Sequence, residues 1–467
     1  MSEARDVEDY RRTSFWLETT PDDLTPRASV GGDVTVDVAI LGGGFSGLWT
    51  AYHLLRDEPS LEVAIVERDI VGYGASGRNG GWCSPRFPVD PAPLIKTFGA
   101  ERARRTILAL QTSVEEIGAI TQREGIDAHY VPGGLLSVAI GDHQLPGLAA
   151  TLATYQRLGL GEGNRLLDAA EARARVNVEG IAGALRTQAG ASIHPGNLVR
   201  GLARAVERLG GTIYEQTAVE GLEPGSSPRL VTATGSVRAR KALIVAAEAY
   251  LPGLPRFRRH VLPMSSMIVL TNPLPADVWD EIGWEGHESL SSQSHLKNYL
   301  TRTADGRILY GSRGAPYTYG STTPDVTSES ERFYDWMRDS LCGWFPSVAR
   351  VGFSHAWGGY LGVPRDWMPT VNFDPSAKIG RLHGYTGRGV STSHLAGKLL
   401  AGLVSGRTTG LEDLPLHRTR TRRWEPEPLR WLGVRYVQSA FGRLDRAEQE
   451  GRRAPWDASF ATYLGEQ

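Results

Sequence analysis

Of 467 residues only two are cysteine, Cys83 and Cys342. They have no metal-ligand or CxxC spacing and allow at most one disulfide, which excludes a disulfide scaffold, argues against any metal centre and suits a reducing cytosol. Lysine is scarce as well: Lys96, Lys241, Lys297, Lys378 and Lys398 are the full set, so a catalytic lysine has few candidates. Neither sign of charge is in excess, because Lys+Arg 51 against Asp+Glu 52 leaves a net charge of -1. No whole-protein field exists to recruit nucleic acid or anionic lipid. The start also lacks the basic-then-apolar order of an export signal, with Glu3, Asp6, Glu8 and Asp9 in its place, and a cytoplasmic location is expected. One long uncharged run remains, 18 residues from Val38 to Leu55, long enough to suggest a membrane span. It contains Gly42, Gly43, Gly44 and Gly47 and continues a strand-like segment, so it reads as strand, turn and helix, and no membrane partner is expected.

What is present is ordinary globular composition, 41% hydrophobic and 22% charged, over a length that fits two or three domains. A polar arm with Trp16 as its anchor precedes an apolar strand, Thr35 to Leu41. A helix from Ser46 to Leu55 and a second strand, Leu61 to Val66, complete a beta-alpha-beta unit with a parallel sheet. Ala100 to Arg123 has the pattern of a long amphipathic helix. His194-Pro195-Gly196 opens a further helix, Asn197 to Leu209, which feeds a strand, Thr212 to Glu215, and Lys241 to Ala246 is another strand. From about Pro255 the pattern changes to short strand-like runs with one helix near Glu329 to Ser340. A strand, Gly380 to Gly384, then enters Tyr385-Thr386-Gly387-Arg388-Gly389 and a second glycine-turned helix, Ser391 to Val404.

Gly42-Gly43-Gly44-Phe45-Ser46-Gly47 satisfies G-x-G-x-x-G between a strand and a helix, and Glu67 lies 20 residues beyond Gly47. Gly42 permits the tight turn, Gly44 lets a pyrophosphate approach the backbone and Gly47 allows close helix-sheet packing. The helix N-terminus stabilises phosphate charge, and Glu67 is expected on a ribose hydroxyl. This pattern indicates a dinucleotide without choosing between NAD and FAD. A second glycine-rich segment, Gly74-Ala75-Ser76-Gly77-Arg78-Asn79-Gly80-Gly81, offers a backbone on which a flat ring can lie.

Together with Glu67-Arg68, Trp357-Gly358-Gly359 and Gly384 to Ser393, these segments resemble the FAD-dependent D-amino acid oxidase superfamily. Within it the chain looks most like the gamma-glutamylputrescine oxidase-type amine oxidases. The resemblance covers most of residues 14 to 440. It implies an α/β fold, α+β overall: a Rossmann-like FAD-binding domain, an inserted and mainly antiparallel substrate domain, and a C-terminal helical tail. The expected divisions are an arm at 1–33, the FAD-binding domain at 34–254 with substrate-domain insertions near 85–190, the substrate domain at 255–355, the second FAD-binding part at 356–406 and the tail at 407–467. It also implies that Phe45, Ser46, Val219, Ala247, Gly387, Val390 and Ser391 join the cofactor contacts, with the amides of Arg388 to Ser391 and the Arg388 charge facing the reduced flavin. The implied reaction is hydride transfer from a carbon bearing a neutral amine, giving an imine that water hydrolyses, with O2 or another acceptor taking the electrons. Trp82, Trp357, Tyr360 and Tyr385 are expected to wall the cavity and hold an alkylammonium. Arg313 is a candidate cation near oxygen or substrate, and His295 and Tyr299 are further candidates.

Three departures from relatives narrow this. Leu361 stands where amino-acid-oxidising relatives carry a carboxylate-binding arginine, which favours an amine without an adjacent carboxylate. Gly359 and Gly81 stand where covalent relatives carry a thiol and a histidine, so FAD is expected to be non-covalent, with Cys83 as the one nearby thiol. Leu309 occupies the position of the oxygen-activating lysine, which leaves the electron acceptor open. The expected substrate is a primary or secondary amine, such as a polyamine or its acylated derivative, handled by a monomer or homodimer. The alternatives are an amino-acid or N-methyl amino-acid oxidase, a flavin-bound interaction protein docking through its Arg-rich tail, and a pyridine-nucleotide dehydrogenase.

Overall fold

The computed structural model describes residues 5–294, 298–312, 317–324, 331–450 and 452–461. Two large sheets organise the chain. In the first, the strand Val34–Leu41 lies between Val63–Val66 and Gly235–Val245, parallel to both. Thr212–Tyr214 and Ile379–His383 extend it in parallel on either side, and Thr370–Asp374 closes one edge antiparallel. All four residues of Val63–Val66 are buried, as expected for a parallel sheet covered by helices. Those helices are Phe45–Asp57, Pro195–Arg208 and Gly389–Ser405, and their apolar faces join one continuous core with Ala100–Arg123. Gly397 makes one close crossing possible, since a Cβ there would stand 2.7 Å from the Cβ of Trp49.

The second sheet runs in the order Phe353–Val363, Leu262–Thr271, Ile308–Ser312, Asn298–Arg302, Ser289–Ser292, Leu135–Ile140, Ile181–Thr187 and Asn164–Asp168. Its pairs are antiparallel except for Ser289–Ser292 with Leu135–Ile140. Two stretches of chain, 135–187 and 262–363, therefore build one surface. The expected boundary at 355 falls inside the strand Phe353–Val363, which pairs along nearly its whole length with Leu262–Thr271. That pairing is invisible locally because the partner lies some 90 residues earlier.

The N-terminal arm is packed rather than loose. Ser14 caps the helix Phe15–Thr19, and its hydroxyl also donates to the Gly77 carbonyl at 2.7 Å. Trp16 is buried and its indole donates to the Asn79 carbonyl at 2.7 Å. At the other end, Trp424 donates to the Val363 carbonyl at 2.7 Å, which ties the tail to the second sheet ahead of a helix, Leu429–Gln449. Among the described residues no helix is long and apolar enough to cross a membrane.

Candidate active site

A cavity of about 650 Å³ is lined by residues from both sheets. At the first sheet the backbone makes the wall. Gly42 has φ +110°, and a Cβ there would stand 2.6 Å from the Ala246 carbonyl oxygen, so only glycine fits. A Cβ on Gly47 would stand 2.1 Å from the Gly42 oxygen, which explains the third glycine by helix-strand contact. The helix Phe45–Asp57 starts at Gly44 with no side-chain cap and no acid in its first turn, and Gly389–Ser405 starts at Arg388 in the same way. Both termini border the cavity, so two positive helix ends serve one space. Glu67 lies beside them, accepting from Gly43 N at 2.7 Å and Asp69 N at 3.1 Å. Burial raises its pKa against these donors.

The Gly74–Gly81 loop is fixed by its own side chains. Asn79 donates to the Ala75 and Ser76 carbonyls and accepts from Gly81 N at 2.9 Å, while the Ser76 hydroxyl accepts from Phe45 N at 2.9 Å. Arg78 donates to the Tyr73 carbonyl at 2.7 Å and across to the Gly358 carbonyl at 3.2 Å, joining the loop to the second sheet. This glycine cradle, with its two uncapped helix ends and its acid, fits FAD: Gly42 to Ser46 would hold the phosphates, Glu67 a ribose, and the 74–81 and 387–391 segments the ring system.

Most of the expected cofactor residues line this one cavity: Gly42, Gly44, Phe45 and Ser46; Glu67 and Arg68; Gly74, Ala75, Ser76, Arg78, Asn79 and Gly80; Val219 and Ala247; Gly359; and Gly387 to Ser391. Gly47 and Gly81 stand behind it as packing positions rather than lining, and Gly358, also outside the lining, accepts from Arg78 at its carbonyl. Trp82, Tyr360 and Tyr385 line the cavity, as does Tyr299. Tyr385 is not a free wall, because its hydroxyl is 2.8 Å from that of Ser46, and Tyr360 donates to the Pro324 carbonyl at 2.8 Å.

Trp357 is a correction. It belongs to an apolar cluster with Phe15, Trp16, Ile268, Leu270 and Leu309, and its indole donates to the Arg78 carbonyl at 3.0 Å. The arm covers this side chain, so it supports the loop from behind and does not line the cavity. Leu309 shares that cluster, so the lysine-equivalent position is apolar and packed. Arg388 borders the cavity, but its guanidinium is engaged by the Phe87 carbonyl and the Asp90 carboxylate. Cys83 is fully buried in the main core, absent from the lining, and burial pushes its thiol pKa upward. Arg313 and His295 lie outside the described residues.

Sequence reasoning missed Glu248 and Arg86 in the lining, along with Asp90, the partner of Arg388. Glu248 has φ +42° and accepts from Gly362 N at 2.6 Å, Gly384 N at 3.0 Å and Tyr385 N at 3.0 Å. Burial pushes its pKa up to about 7 against these three donors. One signal was available: Glu248 follows a strand that ends beside the fingerprint strand, where ligands collect in open parallel sheets. The guanidinium of Arg86 meets Ser137 and Ser291 of the second sheet. No local motif marks it. The helices Pro91–Phe98 and Leu145–Arg157 contribute Ala92, Leu94, Thr154 and Tyr155 to the same lining.

Residues 37–403 match the family described as FAD dependent oxidoreductase, DAO. The chain belongs to this family. It is therefore an FAD-dependent oxidoreductase, and the pyridine-nucleotide and non-enzymatic alternatives fall. Gamma-glutamylputrescine oxidoreductase from Escherichia coli K12 is 32% identical over 396 residues, covering 84% of this chain and 89% of that protein. Glycine oxidase from Geobacillus kaustophilus is 25% identical over 82% of this chain and 97% of its own. A crystal structure of glycine oxidase from the same organism superposes with a TM-score of 0.67 at 23% identity, over 83% of this chain and 100% of that one, which shows the DAO family's fold.

Proposed function

We propose that this DAO family member oxidises the C–N bond of a primary or secondary amine. The substrate carbon gives up a hydride and its nitrogen a proton, leaving an imine that water splits into an aldehyde or ketone and a free amine. Bound FAD supplies the two-electron acceptor. The observation that carries this reading is the continuity of one cavity from the fingerprint glycines to an aromatic chamber made by Tyr299 and Tyr360 of the second sheet and Trp82 of the short strand Trp82–Cys83. Those rings exclude water and hold an alkylammonium by cation-π attraction, worth about 0.5–2 kcal/mol. The gamma-glutamylputrescine oxidoreductase relative supports an amine whose reacting carbon bears no carboxylate. Leu361 lines the cavity and supports the same choice.

FAD is held non-covalently: positions 81 and 359 are glycine, no described residue of the lining carries a thiol or an imidazole, and Cys83 is turned into the core. Acid precipitation should leave the yellow colour in the supernatant; colour retained on the polypeptide contradicts non-covalent binding. The reaction itself is tested by incubating FAD-loaded protein aerobically, or with an artificial acceptor, and assaying aldehyde and ammonia. Carbonyl and amine products in equal amounts from gamma-glutamylputrescine or a simpler amine are expected. Absence of product from every amine with both acceptors overturns the reading.

A further inference from the structure

We infer that Arg86 is the receptor for a carboxylate carried by the amine substrate at the end remote from the oxidised carbon, an inference that rests on the amine-oxidation reading above. Arg86 lines the cavity, and its guanidinium donates to the Ser137 hydroxyl at 2.5 Å and the Ser291 hydroxyl at 3.4 Å. Those hydroxyls are 3.3 Å apart on neighbouring strands and brace the group without neutralising it. Among the described residues no carboxylate pairs with it. Asp90, the acid that acts on it through space, is exposed and bound to Arg388. A guanidinium held away from water beside neutral hydroxyls is unfavourable unless a ligand brings the missing anion, and its planar fork suits a carboxylate.

The position sets the substrate's shape. Ser291 sits on Ser289–Ser292, four places along the sheet from Phe353–Val363, the strand that carries Gly359 at the cofactor side. A carboxylate on the carbon next to the amine stays beside the oxidised carbon, whereas a carboxylate at the far end of an extended amine points away from the cofactor side toward Arg86. Leu361, where relatives place the receptor for an adjacent carboxylate, is consistent with the charge having moved along the cavity.

The test compares FAD-loaded wild type with Arg86→Gln and Arg86→Lys on three probes of one chain length: n-pentylamine, 5-aminopentanoate and 2-aminopentanoate. Wild type should favour 5-aminopentanoate over n-pentylamine by at least about tenfold in kcat/KM, mostly through KM; Arg86→Gln should bring the ratio near one and Arg86→Lys should restore part of it. An unchanged ratio in Arg86→Gln, or a wild-type preference for n-pentylamine or 2-aminopentanoate, overturns the assignment. Calorimetric binding of pentanoate against pentanamide is measured in parallel, without turnover. If no amine is oxidised, the functional reading fails, while pentanoate binding lost in Arg86→Gln still upholds the anion site and equal binding overturns it. Should Arg86→Gln lose FAD, the double variant Ser137→Ala/Ser291→Ala, which removes the braces and keeps the charge, must lower the pentanoate preference; an unchanged preference overturns the assignment.

Discussion

At the fingerprint end the cavity is walled by backbone: glycines at 42, 44 and 74, two uncapped helix ends, and one acid, Glu67, held by main-chain N–H groups. At the second-sheet end it is walled by side chains, with Trp82, Tyr299, Tyr360 and Arg86 projecting from strands and loops that meet only in the folded chain. A wall made of backbone restricts residue type at fixed spacings along a short segment, so it binds one invariant cofactor and leaves a readable trace. A wall made of side chains is free to change with the substrate.

The largest expected break of this contrast is Gly42→Val. Its Cβ would collide with the Ala246 carbonyl at a φ that a β-branched residue avoids, a strain of about 3 kcal/mol or more. Purified variant should carry little or no FAD absorbance, and full FAD content would refute a backbone-built site. Next comes Glu248→Ala, because Glu248 joins the two ends: one oxygen accepts from Gly362 of the second sheet and the other from Gly384 and Tyr385 of the first. Three stranded N–H groups should lower stability by roughly 2–4 kcal/mol in denaturant titration and weaken FAD retention.

Tyr299→Leu sharpens the comparison from the other side. The Tyr299 ring is wedged between Gly80 and Gly311, where added Cβ atoms would stand 2.3 and 2.0 Å from it, and its hydroxyl is 3.0 Å from that of Ser266. The variant should retain FAD while kcat/KM for the amine falls by about tenfold, read in the same preparation. The smallest effect is a pH dependence outside the cavity. His194 caps the helix Pro195–Arg208 by accepting from Asn197 N at 3.1 Å, and burial lowers its pKa to about 4. The unfolded chain binds this proton below the ordinary value of 6.5 and the folded chain does not, so the stability it contributes is complete above pH 6.5 and lost as pH falls toward 4. His194→Asn, which keeps a capping group but does not titrate, should flatten the melting temperature against pH over that window.

The same contrast explains what the sequence disclosed. The fingerprint, Glu67 and the 74–81 loop were legible because each depends on glycine or acid at a fixed distance from a strand end, and the structure gathers them on one cavity. Trp357 was misplaced because a strand's alternation does not reveal that the arm residues Phe15 and Trp16 cover one of its faces. Arg86 and Glu248 stayed hidden because their partners lie some 50 to 200 residues away in the chain. The arm itself was legible through Trp16, an aromatic with no reason to sit in a loose tail.

The central claim, that this cavity couples FAD to an amine, is tested most directly by anaerobic titration of the FAD-loaded protein while the visible flavin bands are recorded. Gamma-glutamylputrescine, or another amine with a distal carboxylate, should bleach those bands without oxygen present. A protein that binds FAD but keeps its bands unchanged with gamma-glutamylputrescine, putrescine, sarcosine and common amino acids would contradict it.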